Sequence, residues 1–251
     1  MINVLINGIN GRMGQEVLKE LNKTPEFKIC AGVDKNKSQE SIPIYNDVKL
    51  IKEKVDVVVD FSTPEATLNI LDYAKLKSIP IVIATTGFNN DEKEKIKEFS
   101  KYIPVFQSGN MSYEINVMCE IVSKLAKQLE GADIEIVETH HRNKVDSPSG
   151  TALMLAESLN SALDDKMEYM YDRHAIKQKR KDNEIGIHSI RGGTEVGKHE
   201  VLFFGDNESF QITHTVTSRS VFAKGAIKAA KFIVHKNPGM YNMKDLIKEM
   251  G

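Results

Sequence analysis

The chain has 251 residues, of which 41% are hydrophobic and 27% charged, with a formal net charge of -1. That length supports a substantial buried core in one large or two small domains, and the near-neutral charge argues against a general polyanion binder, so nucleic acid is not an expected partner. Cys30 and Cys119 fall in a strand and a helix pattern, which gives no support to a disulfide framework or a cysteine metal site. The N-terminal apolar run is too short for a signal segment and no run spans a bilayer, so the expectation is a cytoplasmic chain with no membrane partner.

Ile2 to Ile6 reads as a strand, followed by Gly8-Ile9-Asn10-Gly11-Arg12-Met13-Gly14 and a helical pattern with Val17, Leu18 and Leu21 on one side. Strand, glycine turn and helix in this order let the backbone approach a pyrophosphate under a helix N-terminus. The G-x-x-G-x-x-G spacing alone also suits a plain tight turn. Phe27 to Val33 is a second strand ending at Asp34, where an acid of a dinucleotide fold hydrogen-bonds the adenosine ribose. Asp34 favours free ribose hydroxyls, whereas Lys35 and Lys37 could neutralise a 2′-phosphate. NADH and NADPH both stay open, and Lys37 reads better as a solvated loop residue.

Val55 to Phe61 is a third strand, apolar enough in its middle to be buried on both faces. Thr63-Pro64-Glu65 gives the cap, first position and first-turn acid of a helix carrying Ala66, Ile70, Leu71 and Ala74. Pro80 to Ala84 is strand four, before Thr85-Thr86-Gly87; Asn90-Asp91 starts another helix, and Pro104 to Phe106 is strand five. The alternation predicts an α/β fold with a Rossmann-type doubly wound parallel sheet. Its ligands would bind beyond the strand ends at Gly8 to Gly14, Asp34, Phe61 to Thr63, Ala84 to Gly87 and Ser108 to Met111. Thr85 and Thr86 read equally well as cap residues.

A second domain is expected from near Gly109, where Ser112 can cap a helix with Val117, Ile121, Val122 and Leu125. Strand patterns follow at 134 to 141, 184 to 190, 195 to 204 and 209 to 218. With Gly192-Gly193 and Gly205-Asp206-Asn207 as hairpin turns, they predict an α+β domain with a mostly antiparallel sheet. On the last strand His214 reads as a packed residue, and Gln211, Thr213, Thr215 and Thr217 as a face open to solvent or to other subunits. Lys177 to Lys181 reads as a solvated loop. Helical patterns at 221 to 234 and after Asn242 suggest a return to the first domain, giving 1–109 with 220–251 as a dinucleotide-binding domain and 110–219 as a substrate and oligomerisation domain.

The most concentrated chemistry lies between Glu138 and Ala152. Ile134, Ile136, Glu138 and His140 share one strand face, and His141 belongs to the other. After Pro148, Ser149 can cap a helix through Leu153, Leu155 and Ala156. Backbone N–H groups at Gly150 and Thr151, the positive helix end and the Lys144 ammonium would converge on an anion, most simply a carboxylate. No carboxylate or cysteine spacing completes a metal site around His140 and His141.

Three motifs in order, Gly8 to Gly14, Ala84-Thr85-Thr86-Gly87-Phe88, and E-x-H-H-x-x-K-x-D-x-P-S-G-T-A from Glu138, closely resemble the 4-hydroxy-tetrahydrodipicolinate (dihydrodipicolinate) reductase family of lysine and diaminopimelate synthesis. The long motif is highly specific and the resemblance spans essentially the whole chain. It implies a homotetramer, a bound NADH or NADPH, and a cyclic dicarboxylate substrate. His140 matches the family's acid/base, Lys144 its partner proton donor, and His141, Gly150 and Thr151 the substrate-carboxylate contacts. Gly8, Ile9, Asn10, Gly11, Arg12, Met13, Asp34, Lys35, Ala84, Thr85, Thr86, Ser108, Gly109, Asn110 and Met111 match cofactor contacts. The family usually has glycine where Ala84 and Glu114 stand. Two other classes compete, a dinucleotide sensor without catalysis and a dehydrogenase of an amino-acid semialdehyde or imine.

Overall fold

The structure, a computed structural model, describes residues 1–36, 42–174 and 176–250, so Lys37 lies outside the described residues. The chain divides into two compact units, residues 1–113 with 219–251, and residues 114–218. In chain order the first unit opens with β1 (Ile2–Asn7), α1 (Arg12–Leu21), β2 (Phe27–Val33), β3 (Ile44–Tyr45), β4 (Val57–Asp60), α2 (Pro64–Lys77), β5 (Ile81–Ile83), α3 (Asn90–Phe99) and β6 (Pro104–Gln107). The second holds α4 (Tyr113–Gln128), β7 (Asp133–His140), α5 (Gly150–Ala162), β8 (Glu168–Met170), β9 (Glu184–Arg191), β10 (Gly197–Phe204) and β11 (Ser209–Val216). The first then closes with α6 (Ser220–Ile233), β12 (Gly239–Tyr241) and α7 (Met243–Met250).

The first sheet has seven strands in the order β12-β6-β5-β4-β1-β2-β3, all paired in parallel. Strand periodicity distributes its side chains between two cores. Val4, Ile6, Val57 and Val59 pack with Val17 of α1, Ala226 and Ala230 of α6 and Leu246 of α7. Leu5, Val58, Ile81 and Val105 face the other way, onto Ile70 and Leu71 of α2 and Ile96 of α3. Thr63 caps α2 by accepting from the Ala66 N–H at 3.4 Å, with Pro64 as its first residue, and a reciprocal Asn89–Glu92 capping box starts α3. The order of strand addition reverses between β1 and β4, because β2 and β3 extend the sheet one way and β5 and β6 the other, and this is the switch point at which ligands of such sheets bind.

The second sheet runs β11-β10-β7-β9-β8 and is mixed rather than mostly antiparallel. β10 pairs antiparallel with β7 and β11, whereas β9 pairs parallel with β7 and β8. The reason is the crossover through α5, which brings the chain back to run alongside β7 in the same direction. Gly205-Asp206-Asn207 does form a hairpin turn, closed by Gly205 N–H on the Glu208 carbonyl at 2.9 Å. Gly192-Gly193 does not: β9 and β10 flank β7, and their connection steps over its end. There Gly192 N–H donates to the His140 carbonyl at 3.0 Å and His141 N–H to the Glu195 carbonyl at 2.8 Å.

On β7, Ile134, Ile136, Glu138 and His140 are buried in alternation with half-buried neighbours. Arg180 departs from the solvated run expected at 177 to 181. Its guanidinium bonds Asp133 at 2.7 Å, Glu135 at 3.3 Å and the Ile134 carbonyl at 3.3 Å, fastening the segment to β7. With the Lys181 and Glu184 carbonyls as well, five acceptors meet this positive side chain, which is held rather than solvated.

Gly225 of α6 stands where an added Cβ would lie 1.6 Å from the Met111 carbonyl oxygen. Gly225→Ala should therefore force α6 off its seat and lower stability by about 1–3 kcal/mol, the usual cost of overpacking. Urea unfolding checks it; an unchanged midpoint would show that α6 can shift without loss.

Candidate active site

In the first unit the glycines have separate jobs. Gly8 has φ +79°, and an added Cβ would stand 2.4 Å from the Phe61 carbonyl oxygen; at Gly14 a Cβ would stand 2.2 Å from the Gly8 oxygen. The turn can therefore lie tightly between β4 and α1 only without side chains at these positions. Gly11 precedes α1 and makes no side-chain cap bond, so backbone N–H groups at this helix start suit an anion. Ile9 is fully buried, its side chain against Gly32 and its N–H on the Val33 carbonyl at 3.3 Å. Met13 is half-buried and Arg12 exposed.

Asp34 accepts from the Asn10 and Asn36 N–H groups, each at 3.0 Å, which fixes the carboxylate at the end of β2. Lys35 instead lies 3.6 Å from Glu65, and both side chains are exposed. A groove of about 1000 Å³ runs past Gly8, Gly11, Asp34, Lys35, Ser62 and Thr63. These features fit a dinucleotide: a cradle that a Cβ would fill, a helix start and a fixed ribose-side acid. Ala84, Thr85, Thr86 and Ser108 to Met111 do not line that groove. Thr85 is buried and Thr86 exposed, while the Ser108 hydroxyl donates to the Asn110 carbonyl at 2.7 Å.

Sequence reasoning gave no role to Asp60, whose carboxyl is fully buried at the end of β4. It accepts from Asn7 Nδ2 at 2.7 Å, Thr67 Oγ1 at 2.6 Å and Thr85 Oγ1 at 2.8 Å, and from the Ser62 hydroxyl. Burial pushes its pKa up, against the pull of these four donors. Thr85 also accepts from the Ser62 N–H at 2.8 Å, so it braces β5 to the loop after β4. An acid at the end of an apolar parallel strand was the signal that could have found this hub.

In the second unit Glu138 and His140 bond through Oε2 and Nδ1. Arg191 on β9 grips Glu138 with both terminal nitrogens, at 2.8 and 2.7 Å, and also donates to the Asp146 carbonyl at 2.7 Å. Glu138 further accepts from the Ser149 N–H at 3.1 Å. Ser149 caps α5 by accepting from the Ala152 N–H at 3.1 Å, and its hydroxyl meets His199 Nε2 at 3.0 Å. The rings of His199 and His140 meet edge to face, 5.1 Å apart at 74°. Lys144 is paired with Asp146 at 2.9 Å, a tether the sequence did not suggest. Gly150 is exposed at the start of α5, with Thr151 next and half-buried. His141 follows the end of β7, with a buried Nδ1.

Electrostatics separate these groups. Burial alone would raise the Glu138 carboxyl, yet Arg191, Ser189 and His140 hold it down at about 2. Burial lowers His140 despite Glu138, and lowers His199 to about 3 with help from His140. Neutral imidazoles thus surround one ionised carboxylate. Among the described residues, no group of three His, Cys, Asp or Glu side chains could hold a metal ion, and no helix is long and apolar enough to cross a membrane.

Comparison with known proteins bears on both halves. The dihydrodipicolinate reductase N-terminus matches residues 2–111 and the C-terminus residues 114–247. The chain belongs to the dihydrodipicolinate reductase family. It is an oxidoreductase of that family, one of lysine and diaminopimelate synthesis. A 4-hydroxy-tetrahydrodipicolinate reductase of Caldanaerobacter subterraneus subsp. tengcongensis is 51% identical over 249 residues, covering 99% of each chain. One of Clostridium novyi is 43% identical over 250 residues, again with 99% coverage of each. A dipicolinate-bound dihydrodipicolinate reductase from Paenisporosarcina sp. TG-14 shares the fold, with TM-score 0.81, 22% identity, and coverage of 96% of this chain and 97% of that one.

The depressed groups set a sign for acid unfolding. His199 is neutral when folded, so below its ordinary value of 6.5 the unfolded chain takes a proton that the folded chain refuses, and stability falls toward about pH 3. Glu138 contributes stability above its ordinary 4.5 that is lost as pH falls from there toward about 2. From pH 6.5 to 4.5 the histidines therefore lower stability as pH falls, His140 and His214 shifting in the same direction as His199, while the raised Asp60 acts in the opposite sense toward its ordinary 3.8. His199→Gln should flatten the fall in urea midpoint across that interval. Parallel wild-type and variant curves would rule out a buried neutral His199.

Proposed function

We propose that this enzyme reduces 4-hydroxy-tetrahydrodipicolinate to tetrahydrodipicolinate with NADH or NADPH and loss of water, within lysine and diaminopimelate synthesis. The observation that carries this reading is the 51% identical relative of that name, matched over 99% of both chains. The Glu138-held His140 close in sequence to Lys144 and the α5 start supplies chemistry suited to it.

The reaction removes the 4-hydroxyl with a ring hydrogen as water, then adds one hydride and one proton to the ring. The reduced nicotinamide, when bound, supplies the hydride. The Gly8 to Met13 backbone and Asp34 would hold the dinucleotide, with Lys35, Ala84 to Thr86 and Ser108 to Met111 as further contacts. His140, with Nδ1 turned to Glu138, takes the ring proton at Nε2 and later returns one, while the Lys144 ammonium protonates the departing hydroxyl and regains its proton from solvent. General acid–base help of this kind contributes about 100-fold to 10,000-fold. His141, Gly150 and Thr151 hold the substrate's carboxylates at the positive end of α5 and orient the ring. Homotetramer assembly belongs to the same reading. The exposed Gln211, Thr213 and Thr215 of β11, with Thr217 just beyond its end, form a candidate contact.

Oxidation of NADH and NADPH is followed with freshly generated hydroxy-tetrahydrodipicolinate; dinucleotide binding with no substrate-dependent oxidation would favour a sensor instead. His140→Gln should lower kcat by about 100-fold or more with dinucleotide Kd little changed, and Lys144→Ala should impair both KM and kcat. Near-normal turnover in either variant defeats the role given to that residue.

Asp34 and Lys35 favour opposite cofactors, but only Asp34 is fixed, by two N–H donors. Asp34→Ala should therefore shift the kcat/KM ratio toward NADPH. An unaltered ratio would mean that Asp34 does not read the ribose.

A further inference from the structure

His140, Arg191 and Ser149 bring four donors to the two oxygens of Glu138, beside the Ser189 hydroxyl that also holds it down, and the side chain has no solvent exposure. His140 Nδ1 and Arg191 share Oε2; Arg191 and the Ser149 N–H share Oε1. An ionised carboxylate accepts only, so the neutral His140 ring must carry its proton on Nδ1 and leave Nε2 with a lone pair. Beside Nε2 stands Gly197 of β10, where an added Cβ would lie only 3.1 Å from that nitrogen. The other groups around the ring are Lys144 from the following loop, Arg191 from β9 and His199 from β10. None of these three side chains is hydrogen-bonded to Nε2. Arg191 reaches past Glu138 to the Asp146 carbonyl, so the same guanidinium holds the segment after Lys144.

We propose that Glu138 and Arg191 form a positioning pair, in which Glu138 fixes His140 as the Nδ1–H tautomer with Nε2 as a proton acceptor, and Arg191 ties that carboxylate to the segment between Lys144 and α5. The kinetic part rests on the proposed reaction; the tautomer does not. Glu138→Gln inverts the arrangement for a simple reason. Its amide has one acceptor oxygen, which Arg191 and the Ser149 N–H claim on the Oε1 side, so the amide nitrogen takes the Oε2 side and donates to Nδ1. The ring proton must then move to Nε2.

The test is 15N NMR of the imidazoles in the full-length protein at neutral pH. Wild type should show His140 as Nδ1–H and Glu138→Gln as Nε2–H, with dinucleotide Kd preserved and kcat lowered by about 100-fold. Arg191→Lys keeps the charge but loses the fork; the tautomer should stay Nδ1–H while substrate KM rises. A wild-type Nε2–H ring, or a folded Glu138→Gln protein with an unchanged tautomer, overturns the role of Glu138. Unchanged KM in Arg191→Lys overturns that of Arg191. If Glu138→Gln does not fold, the wild-type tautomer and Arg191→Lys still decide. A wild type that fails to oxidise NAD(P)H with this substrate sinks the proposed reaction alone, since the tautomer is read without turnover.

Discussion

An ionised carboxylate cannot stay buried without donors, and at Glu138 that requirement organises the candidate site of the second unit. Desolvating such a charge costs several kcal/mol, so the fold must bring compensating groups to it. They come from β7 itself through His140, from β9 through Arg191, and from the start of α5 through the Ser149 N–H. Each is also a part of the candidate site or its support. Ser149 caps α5, whose first residues are Gly150 and Thr151, and Arg191 grips the chain at Asp146. One electrostatic need thereby sets the orientation of a histidine, the course of a loop and the start of a helix.

Asp60 in the first unit meets the same need by different means, and the difference is chemical. Its donors are an amide and three hydroxyls, all neutral, so burial prevails and its pKa is raised. Glu138 has a guanidinium and is held at about 2. Hydroxyls suit a carboxyl whose charge is less secure: Thr67 Oγ1 also lies 3.0 Å from the Thr63 carbonyl, so it has a second acceptor if Asp60 takes a proton. A permanent cation at that position would also sit beneath the loop after β4. The neutral set braces Ser62 and Thr85 without placing a positive charge there.

Much of this was legible along the chain, for reasons that can be stated. The strands β1, β2, β4, β5 and β6 are apolar runs between turn residues, and the starts of α2 and α5 carry side chains whose capping chemistry is local. His140 and Lys144 could be read together because they stand close in sequence. The edge strands β3, β8 and β12 have two or three residues each, too few for any periodicity, and exist through the neighbour that they pair with. Gly192-Gly193 has the composition of a hairpin turn, but whether two strands meet across it depends on β7 lying between them.

The missed site residues of the second unit share one property: their roles arise from strand register. Arg191 stands opposite His140, and His199 lies opposite both Glu138 and His214, pairings made between residues far apart in the chain. Glu138 is the instructive intermediate. Its two-residue spacing from His140 on one strand face was visible, and that spacing alone places a carboxylate beside an imidazole. What could not be seen was Arg191, the cation that keeps the carboxylate ionised and makes it an obligatory acceptor. A motif can thus present both members of a dyad while the group that decides their protonation lies on another strand, 51 residues beyond His140 in the numbering (191 − 140).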